Sequence, residues 1–143
     1  MAPINLIVSS LLLGSALCFL SISICLNHWR GGNLFNYDVV HHKHTALTCA
    51  ALLITGLLLW TAAFIIGLVR FCSTEDLIGQ RGLGLAYLVC LYLGTLITIT
   101  GVLVYTGQIG KDWSYMLSVV AWTSSLVVSF MAAIMCRCRA VRQ

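Results

Sequence analysis

Two sets of side chains in this sequence have the types and spacing to do chemistry. His41, His42 and His44, with His28 upstream, could bind zinc or sense pH, because neutral imidazoles ligate metals and titrate near neutrality. No carboxylate or cysteine completes a zinc-site spacing around them, and a polar segment entering an apolar helix also accounts for them. His41, His42 and His44 therefore stand as the metal candidates, and no cofactor is expected. The second set is the seven cysteines. Cys18, Cys49 and Cys90 lie inside apolar runs, where a free cysteine packs as a small hydrophobe. Cys72, Cys136 and Cys138 stand beside arginines at the ends of such runs, the setting of reversible palmitoylation, with unmodified interfacial thiols the alternative. Cys25 and Cys49 approach the same ends of the first two runs, and whether they pair is left open by the sequence. No Cys-x-x-Cys occurs, so a thiol oxidoreductase has no motif here.

The elements that carry these residues follow from composition. In 143 residues, 60% are hydrophobic and 8% charged, which is not the composition of a soluble domain. Charge-free runs cover 1–29, 44–69, 82–110 and 113–136, each longer than the roughly 20 residues that cross a bilayer core about 30 Å thick. The expected fold is an all-α membrane protein, a single four-span domain over 1–143 with spans near 4–28, 45–69, 83–107 and 114–136. Loops are expected over 29–44 and 70–81, with a turn at Lys111-Asp112 and a short tail. The outer loop has room for at most a short β-hairpin, around 34–40. The net charge of +4 is dispersed over span boundaries and forms no stripe, so nucleic acid is not an expected partner.

Four spans put both termini on one side. That side carries Arg70, Arg81, Arg137, Arg139 and Arg142, against Arg30, Lys43 and Lys111 on the other, which predicts cytoplasmic termini. The group Arg137, Arg139, Arg142 suits anionic inner-leaflet lipid as well as a plain stop-transfer flank. The first run has no basic residue before its apolar core and exceeds a signal-peptide core in length, so it is read as a retained anchor.

Span three carries small residues every fourth position: Gly82, Ala86, Cys90, Gly94 and Thr98. Such a stripe lets a neighbouring backbone come close, either inside the bundle or as a docking face for a partner. Ser10, Gly14, Cys18 in span one and Ser125, Ser129, Ala133 in span four repeat it. Trp29, Tyr105, Trp113 and Tyr115 are expected as anchors at the outer interface. Trp122 lies about nine residues into span four, about 14 Å deep at 1.5 Å per residue, and its indole N–H calls for a serine or threonine on a neighbouring helix. No Asp, Glu, Lys or Arg interrupts any run, whereas proton relays, ion paths and coupled transporters usually place ionisable groups there. The chain is accordingly not expected to be an enzyme or a proton-coupled exporter.

Several segments resemble the claudin superfamily. Val104-Tyr105-Thr106-Gly107, and Asp112-Trp113-Ser114-Tyr115 after it, are similar to the Tyr-Thr-Gly and Trp-Ser-Tyr segments of the branch containing peripheral myelin protein, the epithelial membrane proteins and lens fibre membrane intrinsic protein. His28-Trp29 with Asn33-Leu34-Phe35 resembles a degenerate form of the superfamily's Trp…Gly-Leu-Trp opening. Where the branch continues with Gly-Trp-Val-Ala, this chain has Ser118-Val119-Val120-Ala121. The family's first extracellular segment carries a Cys pair and builds an outer sheet; here it is short and lacks cysteine. The resemblance thus implies a four-helix protein acting sideways in the plasma membrane, as organiser or as auxiliary subunit of a channel or receptor. Its partners would be membrane lipid and another integral membrane protein or a second copy of itself. The alternatives are an oligomeric pore or small transporter, and a cell–cell junction or adhesion component.

Overall fold

The computed structural model describes residues 2–26, 32–33, 36–37, 43–72, 77–108 and 113–140, with side chains over 7–26, 44–70, 82–107 and 114–134. Its helices are α1 (Ala2–Cys25), α2 (Lys43–Cys72), α3 (Leu77–Gln108) and α4 (Trp113–Ala140). All four are long and apolar enough to cross a membrane, over Ile7–Cys25, His44–Arg70, Gly82–Gly107 and Ser114–Ile134. In lipid a spanning backbone must satisfy its own hydrogen bonds, and uninterrupted helices of this length do so. The fold is an all-α four-helix bundle. Between α1 and α2, two-residue strands β1 (Gly32–Asn33) and β2 (Asn36–Tyr37) pair antiparallel, Gly32 opposite Tyr37 and Asn33 opposite Asn36.

The helices overrun the apolar spans, which corrects the expected loops. A loop over 70–81 was expected, yet α2 continues to Cys72 and α3 starts at Leu77, and α4 runs through Arg137 and Arg139 to Ala140. Charge ends a span without ending a helix, because arginine is a good helix former once its head reaches the headgroups. At the other end α1 stops at Cys25, short of the expected 28, and the Leu26 N–H closes the last turn onto the Ile22 carbonyl at 2.9 Å.

The buried positions explain how the helices fit. On α1 they include Ser9, Leu13, Ala16, Leu20 and Ser23, and on α4 Ser114, Ser118, Ala121, Ser125 and Val128. On α2 a series runs Leu53, Gly56, Trp60, Ala63, and on α3 Leu91, Gly94, Thr98, Gly101. The steps alternate between three and four residues in every case, which is the heptad spacing that keeps one seam facing its neighbour in left-handed bundles. α2 and α3 make the most extensive contact, α1 and α4 the next, while α1–α2 and α3–α4 are lighter. Neighbours are antiparallel: Leu52 and Leu53 meet Gly101, Trp60 meets Gly94, and Arg70 meets Gly84. Ser23 near the end of α1 meets Ser114 at the start of α4. The end of the bundle holding Cys72 and the start of α3 is called the Arg70 end below, and the opposite one the Ser114 end.

Candidate functional site

The α2–α3 seam is built on absent side chains. A Cβ on Gly94 would stand 2.6 Å from Trp60 Cδ1 and 2.9 Å from its Nε1, and one on Gly56 would run into the Thr98 hydroxyl. A Cβ on Gly101 would lie 3.2 Å from Leu52 Cβ. Without these atoms the two backbones approach closely and gain dispersion contacts, the main attraction between helices where lipid is as apolar as the side chains. Thr98 donates its hydroxyl to the Gly94 carbonyl at 2.8 Å, so its polarity is satisfied within α3. Trp60 is fully buried and its Nε1 has no partner among the described residues.

The α1–α4 seam is built on hydroxyls. Ser23 Oγ donates to the Ser114 carbonyl at 2.6 Å and lies 2.7 Å from Ser118 Oγ, and Ser118 Oγ reaches the same carbonyl at 3.2 Å. Farther along α4, Ser125 Oγ lies 3.2 Å from Thr95 Oγ1, and Tyr92 donates to the Ser129 carbonyl at 3.0 Å, tying α3 to α4. The buried polar side chains among the described residues are serines and threonines. Trp122, expected to find a hydroxyl partner, has a buried Nε1 without one among the described residues. Ser125, three residues on along the same helix, instead bonds the Trp122 carbonyl at 2.9 Å, on the backbone side of that residue.

The small-residue stripe of α3 divides. Gly94 and Thr98 are buried against α2, Cys90 is half-buried, and Ala86 and Gly82 are exposed, with open space where a Gly82 Cβ would stand. A strict four-residue step advances about 400° on a helix with about 100° per residue, so each step drifts about 40° from the seam. Gly82 has thus turned about 120° from Gly94, while the residues that do face α2 there, Tyr87 and Gly84, keep the alternating spacing.

Tyr105 corrects another expectation. It was expected among the interface anchors, but it is 1% exposed and belongs to the bundle core, because its heptad position on α3 turns inward. Tyr115 is half-buried against the same core. Trp113 is the first residue of α4, and its side chain and Trp29 lie outside the described residues. His44 is exposed in the first turn of α2, whereas His41 and His42 lie outside the described residues. Cys72 ends α2, and Cys136 and Cys138 belong to the last turns of α4, with their side chains outside the described set. Cys25 and Cys49 are free thiols, the first exposed and the second buried, so the open pairing between them is not made.

Gly56, Gly101 and Trp60 carry the packing of the α2–α3 seam and lie outside the four-residue stripe of α3. The three-and-four alternation along α2 and α3 is the signal that finds them.

These features define the class: a four-span integral membrane protein. Compared with protein-family models and with curated proteins, the chain has no match.

Proposed function

We propose that this protein is a non-enzymatic membrane component that acts by lateral association, organising membrane or serving as auxiliary subunit of a channel or receptor complex. The observation that carries this reading is where the surface lies. The connections between helices span only 26–42, 73–76 and 109–112, and each helix turns large apolar residues outward, among them Leu11, Leu58, Leu85, Leu103 and Phe130. A partner protein therefore meets mainly helix sides within the bilayer. On α3 the exposed Gly82 and Ala86 leave the backbone uncovered at the Arg70 end, where a neighbouring helix can approach. The plasma membrane and cytoplasmic termini are part of the proposal, on the arginine distribution, as is kinship with the claudin superfamily, on the Tyr105–Gly107 and Trp113–Tyr115 segments.

The test is recovery of membrane partners from native membrane in mild detergent. Ala86→Leu, at an exposed position, should leave the melting temperature unchanged and reduce partner recovery several-fold. Unchanged recovery would remove this face as the docking surface, and purification of the wild type as a lone monomer would remove the proposal itself.

A further inference from the structure

We propose that the Arg70 end of the α2–α3 seam binds the phosphate of an anionic phospholipid, with Arg70 as the principal ligand. The geometry starts at Gly84. The point where its Cβ would stand is 3.6 Å from Arg70 Nη2, 3.7 Å from Cζ and 3.7 Å from Nη1. Three atoms of a flat group at one distance from a single point put that point over the face of the group, not off its edge. The guanidinium thus lies face-on to Gly84, at ordinary van der Waals distance from where a Cβ would stand, and a larger side chain at this position would occupy its place.

Stacking decides where the donors go. The N–H bonds of a guanidinium lie in its plane, so here they run along the surface of α3 and outward, not into the helix. No described residue takes a hydrogen bond from Arg70. One turn deeper, the Tyr87 ring sits 3.5 Å from the Cβ position of Gly67 and fills the seam behind the guanidinium. Arg70 is also the last residue of the second span, which sets its donors at headgroup depth. Arg81 stands three residues before Gly84 on α3, so its backbone lies on the same face one turn farther out. A planar fork with in-plane donors matches the paired oxygens of a phosphate, and the depth of the site selects a lipid as the source of that phosphate. The rival claim on Arg70 comes from the chain's own Glu75 and Asp76, in the connection outside the described residues. This inference does not depend on the proposed function, since it concerns lipid and not a protein partner.

The test is native mass spectrometry of the purified full chain in mild detergent, with phosphatidic acid, phosphatidylcholine or inorganic phosphate added. The wild type should retain phosphatidic acid in preference to phosphatidylcholine. Arg70→Gln should lower that occupancy about five-fold, the ratio equivalent to about 1 kcal/mol for one basic residue at the membrane surface. Gly84→Leu, which keeps every charge but displaces the stacked guanidinium, should lower it as well, and Arg70→Lys should not restore it. Equal occupancy in a folded Arg70→Gln variant would overturn the proposal. So would phosphatidic acid binding that appears only after Glu75→Gln and Asp76→Asn, because Arg70 would then belong to those carboxylates. Displacement of the lipid by equimolar inorganic phosphate would overturn the lipid as the source.

Discussion

α2 meets α3 over glycines, and α1 meets α4 over serines. The first seam gains by shape: Gly94 admits the Trp60 indole, and Gly56 admits Thr98. The second gains by hydrogen bonds, with the Ser114 carbonyl accepting from Ser23 and from Ser118. In a bilayer the two devices differ in how steeply they fail. A glycine seam has no slack, because an added atom must displace a backbone or a packed ring. A hydroxyl that loses its partner gives up a bond averaging only about 0.6 kcal/mol between helices, because the separated helices also find partners.

This contrast orders the expected effects of mutation. Gly94→Leu should be the most damaging, since its first side-chain atom already meets Trp60 Cδ1 at 2.6 Å; overpacking costs about 1–3 kcal/mol or more, and thermal melting in detergent should show a large fall or no folded protein. Survival of Gly94→Leu with a near-native melting temperature would mean that α2 and α3 are not packed this closely. Ser23→Ala should cost about 0.5–1.5 kcal/mol by the same melting measurement, through the bond that Ser23 donates to the Ser114 carbonyl. A loss as large as that of Gly94→Leu would erase the distinction between the seams. Trp60→Phe should have the smallest effect, neutral or slightly stabilising. It keeps most of the ring and removes an indole N–H that is buried with no partner among the described residues, which relieves a desolvation cost. A clear destabilisation would show that the N–H has an acceptor inside the bundle.

The spans and their order were legible in the sequence because charge is confined to their ends, and a bilayer core admits few ionisable groups. The helix ends were less so, since Arg70, Arg137 and Arg139 interrupt hydropathy but not helix. The packing face was legible in part. Gly94 and Thr98 were found by the four-residue pattern, whereas Gly82 and Ala86 joined them only through a spacing that drifts off the seam. Tyr105 shows the limit of reading amphipathic residues one at a time. At the end of a span an interface anchor and a core tyrosine have the same sequence neighbourhood, and the heptad phase of α3 decides between them. The hydroxyl groups of α1 and α4 were least visible, because a serine in a span can serve its own helix, as Ser21 does with the Leu17 carbonyl at 2.8 Å, or bridge to another, as Ser23 does.

The most direct test of lateral association uses a photo-crosslinking side chain placed on the exposed faces of two helices in native membrane. At Ala86 on α3, beside uncovered backbone, it should give a discrete adduct with another polypeptide or a second copy of this chain. At Met116 on α4, equally open to lipid, it should give lipid adducts alone. Lipid adducts alone at both positions would contradict the account.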